Sequence, residues 1–177
     1  MRVISGNLGG RQFESPGSKQ THPMSDKIRG ALFNILGDIT GLSVFDPFAG
    51  SGAISIEAAS RGASKIVAID RDKQAYMIIN KNVEALKLNS LVEVIHGNAI
   101  SWSNGHKDTV FDLVVLDPPF DKVLYSHLIK LSVHVAPAGL LVVSLPEDEE
   151  NFSLPGFGTV MKKSYGDARL AFYRRIS

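Results

Sequence analysis

The sequence predicts an α/β protein built on a mostly parallel sheet with helices on both faces. Three observations favour this fold class. Short apolar runs alternate with helical patterns from residue 42 onward. A polar residue stands where each of these runs ends. Residues 161–174 then contain two strand-like segments with no long helix between them, which indicates an antiparallel hairpin at the sheet edge.

A short extension precedes this alternation. Residues 3–5 and 11–13 flank Asn7-Leu8-Gly9-Gly10, and this pattern predicts a small β-hairpin. A loop follows, and Ser25 or Asp26 can then cap a helix whose apolar residues recur at helical spacing as far as Leu36. We therefore divide the chain into an extension, residues 1–36, and a main domain, residues 37–177.

The main domain reads as strands and helices in turn. Glycine or proline ends most of the helical patterns. With the edge hairpin, the predicted sheet has seven strands. The predicted strands are 43–46, 65–70, 91–96, 112–117, 140–145, 161–165 and 170–174, and the predicted helices are 53–61, 72–86 and 124–136.

Composition excludes several classes of protein. The chain has 177 residues and no cysteine, so disulfides, thiolate metal sites and cysteine nucleophiles are excluded. The five histidines lack metal-ligand spacing, and we expect no metal. The amino terminus is too short and polar for a signal peptide, and no apolar run approaches the ~18 residues that span a bilayer. We expect a cytoplasmic monomer without a membrane partner.

The net charge of +1 hides an asymmetry. Residues 1–36 carry five basic and two acidic side chains, and residues 161–177 carry five basic and one acidic. The segments therefore have charges of +3 and +4, which leaves −6 on the rest of the chain. Localised basic segments on an acidic body favour binding to a polyanion.

Polar residues at the strand ends predict a ligand site. Parallel open sheets bind ligands at the carboxyl ends of their strands, where the strand order reverses. The first four predicted strands end at Asp46, Asp70, the segment Gly97-Asn98-Ala99, and Asp117. We therefore expect these side chains to line one edge of the sheet.

The loop Ala49-Gly50-Ser51-Gly52 lets a ligand approach the backbone closely. No Gly-Lys-Ser/Thr follows it, and the dinucleotide pattern GxGxxG is only half met. Nearby carboxylates repel a pyrophosphate and suit a cation, and Asn98 can both accept from and donate to adenine. S-adenosylmethionine fits these features. The candidate cofactor residues are Asp46, Phe48, Ala49, Gly50, Ser51, Gly52, Asp70, Arg71, Asn98 and Ala99.

The tetrapeptide Asp117-Pro118-Pro119-Phe120 follows the buried run 113–116. Two prolines make a stiff turn whose carbonyls leave the ladder. Acceptors beside an aromatic ring suit a planar base with an exocyclic amine, because the acceptors bind its N–H groups while the ring stacks. We therefore predict methylation of a nucleobase amine.

These motifs, with Ser25-Asp26-Lys27-Ile28-Arg29 and the amino-terminal block, resemble the bacterial 16S rRNA guanine-N2 methyltransferase family. The resemblance implies a Rossmann-like class I methyltransferase fold, with residues 1–36 as an RNA-binding arm and 37–177 as the S-adenosylmethionine-binding catalytic domain. It implies catalytic roles for Asp117, Pro118, Pro119 and Phe120, and 16S rRNA or the small ribosomal subunit as partner. The predicted phosphate contacts are Arg2, Arg11, Lys27, Arg29, Lys162 and Lys163.

The chain departs from the family pattern in places. Members usually carry Arg-Pro-Thr where this chain has His22-Pro23-Met24, and an acidic residue where it has Asn98. Two alternatives share the fold: a DNA adenine or cytosine amino-methyltransferase, and a non-catalytic RNA-binding protein. The incomplete glycine motif and the lack of a Tyr-x-x-x-Lys pair disfavour an NAD-dependent oxidoreductase.

Overall fold

The computed structural model describes residues 1–17, 24–119, 124–147, 152–166 and 168–176. In this part of the chain, no helix is long and apolar enough to cross a membrane. The helices are α1 (Asp26–Leu36), α2 (Ala53–Ser60), α3 (Lys73–Ala85), α4 (Ala99–Gly105) and α5 (Tyr125–Ser132). The strands are β1 (Ser43–Asp46), β2 (Lys65–Asp70), β3 (Val92–His96), β4 (Phe111–Leu116), β5 (Val135–Pro146), β6 (Phe157–Tyr165) and β7 (Ala168–Arg175).

The strands form one sheet in the order β3-β2-β1-β4-β5-β7-β6. Strands β1 to β5 are parallel, β7 is antiparallel to β5, and β6 is antiparallel to β7. This arrangement confirms the predicted seven-stranded sheet with its antiparallel hairpin. The order reverses between β1 and β4, so the predicted binding crevice lies beyond the carboxyl ends of these two strands.

Each face of the sheet has its own hydrophobic cluster. Val44 and Leu113 belong to the cluster that includes side chains of α1, α2 and α3. Phe45 and Val114 belong to the opposite cluster, which includes side chains of α4 and α5. Successive residues of a strand point to opposite faces, so a central strand must be apolar on both. This explains the continuous apolar runs in the sequence.

The amino-terminal extension packs against the first of these faces. Arg2 and Gln12 form an antiparallel bridge, which confirms the predicted hairpin pairing. Val3, Phe13 and Met24 are buried in the same cluster as α1 to α3. The division at residue 36 stays a prediction, since residues on both sides of it share one core.

Three elements differ clearly from the prediction, and one of them is β6, which begins at Phe157 rather than at residue 161. Helix α4 was missed, because its seven residues follow Asn98 with only a short apolar pattern. Helix α5 ends at Ser132 rather than at residue 136, because Val135 already pairs with Phe111 of β4. The register of this pairing shifts before Leu140. The predicted helix end is therefore the bulged start of β5.

Candidate active site

The turn after β1 depends on two glycines with positive φ. Gly50 has φ 54° and its N–H donates to the Asp70 carboxylate at 2.7 Å. Gly52 has φ 77° and is the N-cap of α2. A Cβ on Gly52 would lie 3.2 Å from the Ile79 side chain, so a larger residue would be both strained and crowded. The loop therefore brings bare backbone to the reversal point of the sheet.

Asp46 ends β1 and is fully buried. Its Oδ2 accepts a hydrogen bond from the Ser55 hydroxyl at 2.7 Å, and its Oδ1 is buried without a hydrogen-bond partner. Burial is the main cause that raises the pKa of Asp46 to about 7; the hydrogen bond from Ser55 opposes this rise, and the nearby Asp117 and Asp70 carboxylates contribute to it. An under-satisfied buried carboxylate at this place suits a cation close by, because opposite charge favours its ionised form.

Asp70 shapes the loop as well as facing the crevice. One carboxylate oxygen accepts from the Gly50 N–H and the other from the Asp72 N–H at 2.8 Å. Burial raises the pKa of Asp70, while these two hydrogen bonds lower it. Each oxygen keeps one lone pair, which leaves room for ribose hydroxyls. Arg71 is exposed, and its carbonyl lies 3.2 Å from His96 Nε2.

The side chain of Asn98 caps a helix instead of offering its oxygen to a ligand, as the sequence had suggested. Its Oδ1 accepts from the N–H groups of Ile100 and Ser101 at 2.8 and 3.1 Å, and so caps α4. Both lone pairs of that oxygen are used, which contradicts the expectation that it accepts from an adenine amine. The Asn98 amide NH2 stays a predicted donor to an adenine ring nitrogen, beside the buried Ala99.

The Asp-Pro-Pro segment leaves β4 at the same edge. Asp117 is half-buried, Pro118 is buried and Pro119 is exposed. Burial raises the pKa of Asp117 to about 6, and a hydrogen bond with the Ser144 side chain opposes this rise. Phe120, the predicted stacking ring, lies outside the described residues.

Most of the predicted phosphate contacts are on the surface. The exposed ones are Arg2, Arg11, Lys27, Lys162 and Lys163. Arg29 is different, because it is fully buried and its guanidinium donates to Asp26 at 2.9 Å and to the Arg2 carbonyl at 2.7 Å. The prediction that Arg29 contacts RNA is therefore wrong for this conformation. Its place in an otherwise basic segment gave no sign of burial.

Two serines were missed as site residues. Ser55 is fully buried on α2 and holds Asp46, and Ser144 of β5 is 2% exposed and faces Asp117. The signal for Ser55 is its place in the first turn of the helix that follows the loop, where a hydroxyl can reach back to the strand end. No comparable sequence signal marks Ser144.

Residues 1–174 match the family model described as conserved hypothetical protein 95. The chain belongs to that family.

Several proteins similar to this chain are described as methyltransferases. "Putative rRNA methyltransferase YlbH" of Bacillus subtilis is 30% identical over 99% of both chains. "Ribosomal RNA small subunit methyltransferase D" of Escherichia coli K12 is 36% identical over 74% of this chain and 66% of its own. The structure of "Putative methyltransferase yhhF" from Escherichia coli has a TM-score of 0.87 at 29% identity, and covers 99% of this chain and 97% of its own.

These comparisons confirm the resemblance that the motifs indicated. They bear out the Rossmann-like methyltransferase fold, which is shared at a TM-score of 0.66 and 17% identity by "SMU.776, a putative methyltransferase complexed with SAH". Within the described ranges, no group of three or more histidine or acidic side chains is placed to hold a metal ion.

Proposed function

We propose that this protein methylates the exocyclic N2 amine of a guanine in 16S rRNA. The half-buried carboxylate of Asp117 carries the proposal, because it lies at the reversal point of the sheet directly after β4. The relatives described as rRNA methyltransferases support RNA as the substrate class.

The residues at this edge suit S-adenosylmethionine. The Gly50–Gly52 turn offers bare backbone, Asp70 retains lone pairs for ribose hydroxyls, and the carboxylate of Asp46 favours a positive charge nearby. The bound cofactor supplies an electrophilic methyl group on a sulfonium, so no metal is required.

Asp117 and the Pro118 carbonyl are the acceptors for the amine. When both accept its N–H groups, the nitrogen lone pair is directed at the methyl group, and catalysis is mostly positioning. The acceptors also stabilise the positive charge that develops on nitrogen as the new C–N bond forms and the methyl–sulfur bond of the sulfonium breaks, which would leave a neutral thioether. The nitrogen then loses one proton to water or to Asp117, whose raised pKa of about 6 makes it a competent temporary acceptor. Phe120 is predicted to stack on the base.

The test is methyl transfer from labelled S-adenosylmethionine to small ribosomal subunits that lack the modification. The wild type should label a guanine. Asp117→Ala should lower the rate by about 100-fold or more, because one preorganised polar contact to the transition state is worth that much. Its affinity for S-adenosylhomocysteine, measured by calorimetry, should stay within about two-fold, since the change lies on the substrate side.

Label on another RNA base would correct the target. No label on rRNA from a wild-type protein that binds S-adenosylhomocysteine would contradict the proposal and favour a DNA substrate or a non-catalytic role. A mutant that transfers methyl groups at the wild-type rate would remove Asp117 from the mechanism.

A further inference from the structure

Two charged residues outside the strand-end site are completely buried. The side chains of Arg29 on α1 and Glu57 on α2 are both 0% exposed. Burying charges is strongly unfavourable unless each is paired and hydrogen-bonded. Neither side chain can reach a dissolved ligand in this conformation, so their role must lie in what they hold inside the molecule.

Glu57 holds the first strand of the amino-terminal hairpin. Its carboxylate accepts from the backbone N–H of Ile4 at 2.8 Å and of Ser5 at 3.1 Å, and from Arg61 Nε at 2.8 Å. The two backbone groups come from residues more than fifty positions away. A neutral side chain could not accept all three of these bonds with comparable strength, because bonds to a charged acceptor are stronger.

Arg29 holds the neighbouring backbone. It donates to the carbonyl of Arg2 at 2.7 Å, to that of Met24 at 3.4 Å, and to the Asp26 carboxylate at 2.9 Å. Its Nε lies 3.9 Å from Glu57 Oε2 and has no hydrogen-bond partner. The pair therefore fixes the backbone beside exposed Arg2 and the start of α1, where Lys27 is exposed.

Two further buried side chains complete the attachment. Ser60 of α2 donates to the Ser5 carbonyl and accepts from the Leu8 N–H. Asn82 of α3 accepts from the Glu14 N–H and donates to the Glu14 carbonyl, both at 2.9 Å. Residues 4–14 are thus hydrogen-bonded to α2 and α3 by side chains that are nearly inaccessible to water.

The same two helices carry the cofactor side of the site. Helix α2 starts at Gly52 of the loop, and its Ser55 binds Asp46 just two residues before Glu57. Helix α3 is capped by Asp72, whose N–H donates to Asp70. A packed helix is a rigid spacer, with 1.5 Å of rise per residue. The arm and the loop are therefore attached to opposite ends of common helices.

We infer that Glu57 and Arg29 are positioning residues that hold the amino-terminal arm at a fixed place relative to the cofactor loop, so that the arm's exposed cations meet RNA phosphates in register with the target base. This inference rests on the proposed function. Phosphate contacts fix register and orientation rather than sequence, so their geometry must be set by the protein.

The test compares Glu57→Gln with Asn82→Ala, which loosens the same arm from a different helix. Ser103→Ala is the matched control, because it removes a buried hydrogen bond to His134 on the opposite face of the sheet. Three quantities are measured well below the melting temperature: amide exchange at Ile4 and Ser5, KM for small subunits, and Kd for S-adenosylhomocysteine.

We expect faster exchange at the two amides and a KM for small subunits about ten-fold higher in Glu57→Gln, since misplaced phosphate contacts lose affinity. The Kd for S-adenosylhomocysteine should stay within about two-fold, as should every quantity in Ser103→Ala. General damage would instead change the cofactor Kd as well. If Glu57→Gln does not fold, Asn82→Ala carries the test, with a smaller shift in the same direction.

An unchanged KM despite faster exchange would overturn the inference, and so would parallel losses of cofactor and RNA affinity. If the wild type labels rRNA but the variants keep the wild-type KM, the inference about Glu57 and Arg29 is contradicted and the proposed function is not. A wild type that neither binds nor labels rRNA would contradict the proposed function and this inference with it.

Discussion

Three carboxylates meet at the carboxyl edge of the sheet and differ in what surrounds them. Asp46 is fully buried with one oxygen unpartnered, Asp70 is satisfied by two backbone N–H groups, and Asp117 is half-buried near Ser144. Burial raises the pKa of all three, and the rise is to about 7 for Asp46 and about 6 for Asp117. Groups with opposed environments can take different roles at one pH. We expect Asp46 to stabilise the positive charge of the cofactor and Asp117 to accept a hydrogen bond from the amine of the substrate.

The raised pKa of Asp46 should make the free energy of unfolding depend on pH. Its folded pKa of about 7 lies above the usual 3.8, so its stabilising contribution is complete below pH 3.8 and is lost as the pH rises through 7. Asp46→Asn should therefore gain stability relative to the wild type as the pH rises from 4 to 8, by more than about 1 kcal/mol. Urea unfolding at several pH values measures this difference.

Asp112 provides the control for that experiment. Hydrogen bonds from Ser43 lower the pKa of Asp112, so its contribution is lost as the pH falls. Because this lowered pKa lies below 3.8, the stability of Asp112→Asn relative to the wild type should stay nearly constant between pH 4 and 8. A stability difference between Asp46→Asn and the wild type that does not change with pH would show that Asp46 is ionised in the folded protein at all these values.

At the scale of the elements, the helices after β1, β2 and β3 each start next to the crevice. Gly52 precedes α2, and the side chains of Asp72 and Asn98 cap α3 and α4. A cap satisfies N–H groups that have no partner within the helix. The same residues that begin the helices therefore shape the ligand edge.

Helix α4 has only seven residues, so we expect it to depend strongly on its cap. Asn98→Ala should cost about 1 kcal/mol of unfolding free energy, because two backbone N–H groups lose their acceptor. Asn98→Asp retains an acceptor and should be near wild type. Urea unfolding of both variants checks this. Equal stability of Asn98→Ala and the wild type would show that water replaces the cap at no cost.

The whole molecule combines an acidic body with basic ends. The β6–β7 hairpin places Lys163 on the outer strand, where its ammonium lies 5.6 Å from the centre of the Tyr165 ring. The turn of this hairpin follows Tyr165 and lies beside the end of β5, since Ala168 pairs with both Tyr165 and Pro146. One basic segment therefore lies on the same edge as Asp117.

This arrangement predicts the salt dependence of RNA binding. Lys163→Ala should reduce the slope of log affinity against log salt by about 0.7 to 0.9, the value for one lost phosphate contact. Lys65→Ala is the control, because Lys65 is exposed at the amino end of β2, away from the crevice. Filter binding at several salt concentrations measures both slopes. Equal slopes for the two variants would remove Lys163 from the RNA surface.

Much of the fold and of the candidate site could be predicted from local patterns in the sequence. The apolar runs predicted both ends of strands β1 and β2 correctly. Ser25 and Asp72, which stand at the predicted starts of two helices, are the N-caps of α1 and α3. The polar strand ends came together because parallel strands must share an edge. These features depend on neighbouring residues and on general rules of sheet topology, so one chain suffices to predict them.

Tertiary structure alone decided the rest. Arg29 lies in a basic segment but is buried, because it packs beside Glu57 of α2 and donates to the carbonyl of Arg2, both distant in sequence, as well as to nearby Asp26. Val135 leaves a helical pattern to pair with β4, since a ladder bond outweighs weak helix propensity. Each outcome depends on contacts between residues far apart in the chain, which no local pattern encodes.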